Sequence, residues 1–226
     1  RIWIYTNREG IYVFDYTTGI VDRVNGSKNV FNNGCDMLMD SKGLLWLGST
    51  RDGVFIIDPD RKTLRHIPRL KKGDRGNAKQ LVEDAVGNIW VGAPTGLSII
   101  NYEAGIIRFL NNENGLPANQ VTGLFKDNKN QIWTSTLGAG ISIIQSTKGS
   151  ILNMGTENGI KHDVNTFIQD HDQKIWMATN SGVYIFDDSS QSFGTHFESH
   201  ATSGRRGLSY KTHTNLLKQD FQTLLW

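Results

Sequence analysis

Cysteine is nearly absent. Cys35 is the single one in 226 residues, so no internal disulfide framework holds the fold. Proline is scarce at 4 residues while glycine reaches 24, a balance that suits many tight turns between short strands. No run of 18 apolar residues occurs, so the sequence offers no membrane-spanning helix. Charge of one sign is missing too. Lys and Arg number 24 against 22 Asp and Glu, leaving a net +2, and this builds no basic field of the kind nucleic-acid binding needs. The densest basic run, Arg69 to Lys72, reads as a solvated loop. The sequence shows no secretory leader and opens on Arg1-Ile2-Trp3-Ile4, already a strand pattern. The chain is therefore expected to be a piece of something longer.

Catalytic signatures are lacking as well. There is no G-x-S-x-G, no H-E-x-x-H and no phosphate-binding G-x-x-x-x-G-K-(S/T). No acidic pair stands out as a glycosidase dyad. His196 and His200 flank Glu198 at a spacing that could hold a metal on a helix, but their segment carries no helix signal. Neither a metal nor a cofactor is expected, and no catalytic residue is named.

What is present is a repeat. The tryptophans stand at Trp3, Trp46, Trp90, Trp133, Trp176 and Trp226, with spacings of 43, 44, 43, 43 and 50 residues. Six positions before them come Asp40, Asp84, Asp127, Asp170 and Asp220. After them come Gly10, Gly53, Gly96, Gly140 and Gly182, each opening a β-rich block such as Val54 to Asp58 or Ile141 to Gln145. Each unit parses into four short strands. The first ends before the aspartate, the second carries the tryptophan, the third follows the glycine, and the fourth is weaker. A unit of this length with β-branched and aromatic strands predicts an all-β chain. Its fold is a β-propeller of about five four-stranded antiparallel blades of ~43 residues. In that fold Trp46, Trp90, Trp133 and Trp176 are first of all packing residues between blades. Asp40, Asp84, Asp127 and Asp170 cap their turns, and Gly53, Gly96, Gly140 and Gly182 serve the next turn. The 188–214 segment reads as an insertion or irregular loop, because the last tryptophan interval is longer than its neighbours.

The wording of the unit is clearest at 119–145 and 165–187, with lead-ins Asn114-Gly115-Leu116-Pro117 and Asn158-Gly159-Ile160. It resembles the two-component regulator propeller repeat over nearly the whole chain. The resemblance implies a seven-bladed ring in the periplasmic sensor region of a hybrid histidine kinase/response regulator of Bacteroidetes. It also implies an inner-membrane protein whose sandwich, kinase, receiver and DNA-binding domains lie outside this chain, an oligosaccharide ligand, and a homodimer. On that resemblance the segment is expected to be no enzyme, with the kinase in another part of the protein. The alternatives are a protein-interaction propeller scaffold and a propeller-fold polysaccharide lyase or hydrolase.

Residues that differ between units are better ligand candidates than those that recur, because loops at the blade ends can vary without harming the core. Arg8, Glu9, Arg51, Asp52, Arg75, Arg205 and Arg206 are the candidate ligand-binding residues. The first unit lacks its first strand, and Asn215 to Asp220 has that strand's pattern. A closed ring would pair it with Ile2 to Thr6. The continuation through Phe221 to Trp226 favours an open or truncated array instead.

Overall fold

The computed structural model describes residues 1–6, 9–24, 34–59, 63–70, 76–160, 163–180 and 182–198. Strands β1 (Ile2–Thr6), β2 (Gly10–Asp15) and β3 (Ile20–Arg23) form a first sheet of three. The second sheet holds β4 (Gly34–Met39), β5 (Leu45–Ser49), β6 (Val54–Asp58) and β7 (Thr63–Ile67). The third holds β8 (Gln80–Glu83), β9 (Ile89–Ala93), β10 (Gly96–Asn101) and β11 (Ile106–Leu110). The fourth holds β12 (Val121–Lys126), β13 (Ile132–Thr136), β14 (Gly140–Gln145) and β15 (Ser150–Met154). The fifth holds β16 (Val164–Gln169), β17 (Ile175–Thr179), β18 (Gly182–Asp187) and β19 (Ser192–Glu198). Every sheet is antiparallel with its strands in chain order. Among the described residues the only helical element is a 3-10 turn at Thr156–Asn158.

These are the blades that the 43-residue period predicts. The first sheet lacks a first strand among the described residues. The 188–214 segment begins as a turn and then supplies β19, the fourth strand of its blade. Its remainder lies outside the described residues, as do Asn215 to Asp220 and Trp226, so the pairing considered for them with β1 lies there too.

Successive sheets stack through one repeated contact. Trp3 packs against Leu45, Leu47, Phe55 and Ile57 of the second sheet. Trp46 meets Leu81, Ile89, Val91 and Ile100 of the third. Trp90 meets Val121, Ile132 and Ile144 of the fourth, and Trp133 meets Phe167, Ile175, Met177 and Phe186 of the fifth. A single sheet cannot cover both faces, so each tryptophan removes the next sheet's apolar face from water. The first strands β4, β8, β12 and β16 lie against one another and form the inner edge of the array.

Up-and-down strands give each blade two distinct ends. The aspartate turns and the third-to-fourth turns share one, here the turn end. The second-to-third loops and the links to the next blade share the other, the connector end.

Candidate functional site

The recurring residues come together at the turn end as a clasp. Asp40, Asp84, Asp127 and Asp170 each accept the indole N–H of the tryptophan six residues on, at 2.7, 2.9, 2.7 and 2.6 Å. The other carboxylate oxygen accepts backbone N–H groups of the turn, as Asp127 Oδ1 does from Lys129 and Gln131 at 2.9 and 2.8 Å. Both oxygens are committed to the protein, which leaves these turns nothing to offer a cation. The indole partner was missed in the sequence, although the constant spacing of six was its signal. Among the described residues no group of three or more His, Cys, Asp or Glu side chains is placed to hold a metal.

The inner edge carries a second series. The ladders slip by one residue near the start of β4, β12 and β16, and each slip leaves one residue unpaired. These bulge residues are Cys35, Thr122 and Asn165, and Lys79 holds the same place ahead of β8. A bulge re-aims its side chain, and here two of them reach the next blade. Cys35 Sγ donates to the Ala78 carbonyl at 2.9 Å, and Thr122 Oγ1 donates to the Val164 carbonyl at 2.7 Å. Solvent reaches Cys35 from one side. Even so, the protein around it withdraws enough water to push the thiol up to about 11, with the charge of Asp36 adding to this. The thiol is therefore protonated at neutral pH and able to donate. Burial also raises the Asp36 carboxyl above its ordinary value, and the N–H groups of Leu81 and Met37, at 2.8 and 2.9 Å, partly offset this.

The connector end holds Glu9, Arg51 and Asp52 of the variable residues. Glu9 is exposed in the β1–β2 loop, and Arg51 is exposed in the β5–β6 loop. Asp52 is half-buried and tied to its own loop, accepting from Ser49 Oγ at 3.1 Å. Arg8, Arg75, Arg205 and Arg206 lie outside the described residues.

The same end holds a groove of about 460 Å³ that runs from the fourth sheet to the fifth. The β13–β14 loop forms one wall through Gly138 and Ala139. Asn153, the Gly155–Glu157 segment, Asp163 and Asn180 line the groove as well. Its polar groups are held in place. Asp163 Oδ1 accepts the Gly138 N–H at 2.6 Å, and Asn180 Oδ1 accepts from Asn165 Nδ2 at 2.8 Å. Asn153 accepts from Ser142 Oγ at 2.6 Å and donates to the Gly115 carbonyl at 2.9 Å. Pro117, Gly140 and Ile160 were named from sequence only as parts of the repeat, and Asn153, Glu157, Asp163 and Asn180 were not named, because chain segments far apart in the repeat build the groove.

No family model and no curated protein matches the chain. Solved structures do match in fold. The extracellular domain of one hybrid two-component system of B. thetaiotaomicron superposes with a TM-score of 0.68 at 20% identity, over 88% of this chain and 27% of that one. The corresponding domain of a second such system gives 0.68 at 19% identity, over 86% of this chain and 28% of the other. This chain thus spans little more than a quarter of either. A catalytically inactive virginiamycin B lyase from Staphylococcus aureus, solved with quinupristin, gives 0.65 at 14% identity, over 86% of this chain and 65% of the lyase. That likeness corrects one expectation. The reading of this segment as no enzyme does not stand, because the same propeller carries a lyase, so the fold is no argument against catalysis. The fold of this chain resembles the extracellular sensor domains of hybrid two-component systems, and it shares that propeller architecture with the lyase.

Proposed function

We propose that this chain is an extracytoplasmic ligand-sensing module of a hybrid two-component system. It binds a glycan-derived oligosaccharide and signals to a kinase in another part of a longer, inner-membrane protein. The observation that carries this reading is the agreement of its blades with two such extracellular domains over most of the chain. In this reading the sheets belong to a seven-bladed ring in the periplasm, the protein works as a homodimer, and the sandwich and kinase domains follow elsewhere. The connector end is the binding end. The groove there offers carboxylates and carboxamides, which suit the paired donor and acceptor character of sugar hydroxyls. Arg8, Glu9, Arg51, Asp52, Arg75, Arg205 and Arg206 belong to the same proposal as ligand contacts. Titration calorimetry of the purified chain against a panel of oligosaccharides tests it. Saturable heat with at least one member is expected. No response to any glycan, together with a stable protein partner, would replace the sensor with an interaction scaffold.

The likeness to virginiamycin B lyase favours a second reading, a propeller lyase. Incubation with quinupristin and with polysaccharides, followed by mass spectrometry of the products, separates the two. Turnover of any of them would displace the sensor reading.

A further inference from the structure

We infer that the seam between the third and fourth sheets is a built-in joint, at which the array opens first, while the second sheet stays clamped to the third and the fourth to the fifth. The turn ends carry the clamps in a fixed register. The residue after one turn's aspartate meets the residue before the next blade's aspartate. Ser41 donates its backbone N–H to Glu83 Oε2 at 2.9 Å and its hydroxyl to Glu83 Oε1. Asn128 donates its backbone N–H to Gln169 Oε1 at 2.8 Å and its side-chain amide to Gln173. The residue that follows is a lysine in both turns. It pairs with a carboxylate just beyond the next blade's third strand, Lys42 with Glu103 at 2.6 Å and Lys129 with Asp188 at 2.8 Å. At the seam between the third and fourth sheets the same register holds Ala85 and Lys126, with Val86 in the lysine's place. Ala85 brings no side-chain donor, Lys126 no acceptor and Val86 no charge. Val86 stands 62% exposed.

The inner edge repeats the pattern independently. From the second sheet to the third, Cys35 donates to the Ala78 carbonyl and Asp36 accepts the Leu81 N–H. From the fourth to the fifth, the Thr122 and Ser135 hydroxyls both donate to the Val164 carbonyl. Between the third and fourth, Gln80 Nε2 donates to the Thr122 carbonyl at 3.3 Å, and among the described residues it is the one hydrogen bond that joins these two sheets. Both sheets lie within the unbroken described run 76–160. What closes this seam is apolar, with Trp90 and Leu97 against Val121, Ile132 and Ile144. Apolar burial is non-directional, so it holds two faces together without fixing their register. Hydrogen bonds are directional and fix it at the other two seams. Each clamp contact is modest by itself, but all of a seam's contacts must break before its faces part. Local opening therefore concentrates where directional contacts are fewest. The joint rests on these contacts and holds for a sensor or a lyase alike.

Thiol labelling of the native chain reads the three seams at one equivalent place. Ile89, Ile132 and Ile175 each precede a blade's tryptophan, and they are sealed against Trp46, Trp90 and Trp133 in turn. Ile89→Cys, Ile132→Cys and Ile175→Cys are each made in the Cys35→Thr chain and compared after circular dichroism has shown them to be folded. Ile132→Cys should be labelled about tenfold or more faster than the other two. Grafting a clamp, as Ala85→Ser with Lys126→Glu or as Ala85→Asn with Lys126→Gln, should slow Ile132→Cys and leave Ile89→Cys unchanged. Removing a clamp, as Ser41→Ala with Lys42→Ala, should speed Ile89→Cys. Equal rates at the three places, as global unfolding alone would give, overturn the inference. So does a fast rate at Ile132→Cys that neither graft slows. Should a cysteine variant fail to fold, fluorine NMR of the otherwise unaltered chain carrying 5-fluorotryptophan decides. Exchange broadening at Trp90 beyond that at Trp46 and Trp133 supports the joint, and equal broadening at all three overturns it.

Discussion

Asp127 gives one carboxylate oxygen to its own turn and the other to the indole of Trp133, which is 1% exposed. Removing either partner leaves a buried polar group unpaired, which costs more than the hydrogen bond alone is worth. Trp133→Ala should destabilise by roughly 3–5 kcal/mol, the range for a buried large aromatic. Asp127→Ala should cost about 2–3 kcal/mol from an unpaired indole and a weakened turn. The double variant should cost clearly less than the two together, and urea unfolding of all three measures the difference. A loss below about 1 kcal/mol for Trp133→Ala would mean that the side chain does not seal the seam. Cys35 offers a second residue-scale prediction. Its thiol donates across the second seam as the Thr122 hydroxyl does across the fourth. Cys35→Thr should therefore keep the stability of wild type, and Cys35→Ala should fall below it by about 0.5–1.5 kcal/mol. Because its thiol is pushed up to about 11, alkylation should be slow at neutral pH and accelerate as pH rises towards that value.

At the scale of the element, the loop before each third strand decides where a glycine is needed. Gly140 has φ +81°, and a Cβ there would collide with the Met154 carbonyl at the end of the fourth strand. Gly138, two residues earlier, has φ +72° with open space around it. Gly138→Ala should cost about 1–2 kcal/mol from left-handed backbone alone. Gly140→Ala should cost clearly more, because backbone has to move, and thermal unfolding of the pair reads the gap. The turn ends also carry a pH-dependent contact. Lys129 bonds Asp188 of the next blade at 2.8 Å, which holds the Asp188 carboxyl below and the Lys129 ammonium above their ordinary values. For a lowered carboxyl the stabilisation is present above the ordinary Asp value and is lost as pH falls through the lowered one. Both side chains are exposed, so the effect should stay below about 1 kcal/mol. Lys129→Ala should lower stability by that amount at neutral pH and leave it nearly unchanged below the lowered Asp188 value, which flattens the acid limb of the unfolding curve. These elements were largely legible in the sequence, because tryptophan, aspartate and glycine recur at fixed offsets that only a repeated hairpin geometry requires. β19 was not. Its polar start, Ser192-Phe193-Gly194-Thr195, alternates too weakly to read as a strand, and the ladder to β18 makes it one. Nor were the bulges at Cys35, Thr122 and Asn165, since one extra residue in a short strand leaves its composition unchanged.

At the scale of the molecule, the seams show why the groove was not legible while the stack was. The stack follows from what recurs. The groove follows from what differs, namely Glu157, Asp163 and Asn180, and the links and loops at the connector end bring these together. The same comparison of seams identifies an apolar face without a cover among the described residues. Leu45, Ile89, Ile132 and Ile175 each precede a blade's tryptophan, and they are 2, 1, 0 and 4% exposed under the preceding sheet. Ile2 holds that position in the first sheet and is 53% exposed. Ile4 on the same face is 42% exposed, while its counterparts Leu47, Val91 and Met177 are at 1, 0 and 0%. Val21 of β3 adds a further exposed aliphatic side chain to this sheet. A contiguous apolar face of this kind drives association in water. Its neighbours in the array are covered by a tryptophan-bearing face, so a face of that type is the natural complement. The purified chain should therefore self-associate as concentration rises, with light scattering reporting a mass above that of one chain. The double variant Ile2→Lys with Ile4→Lys should move it towards the monomer at unchanged β content, because these side chains are not buried by any described residue. Leu47→Lys should instead unfold the first seam, because it leaves a charge without a partner in a closed core. A monomer at all concentrations for wild type would mean that this face is already covered within the chain.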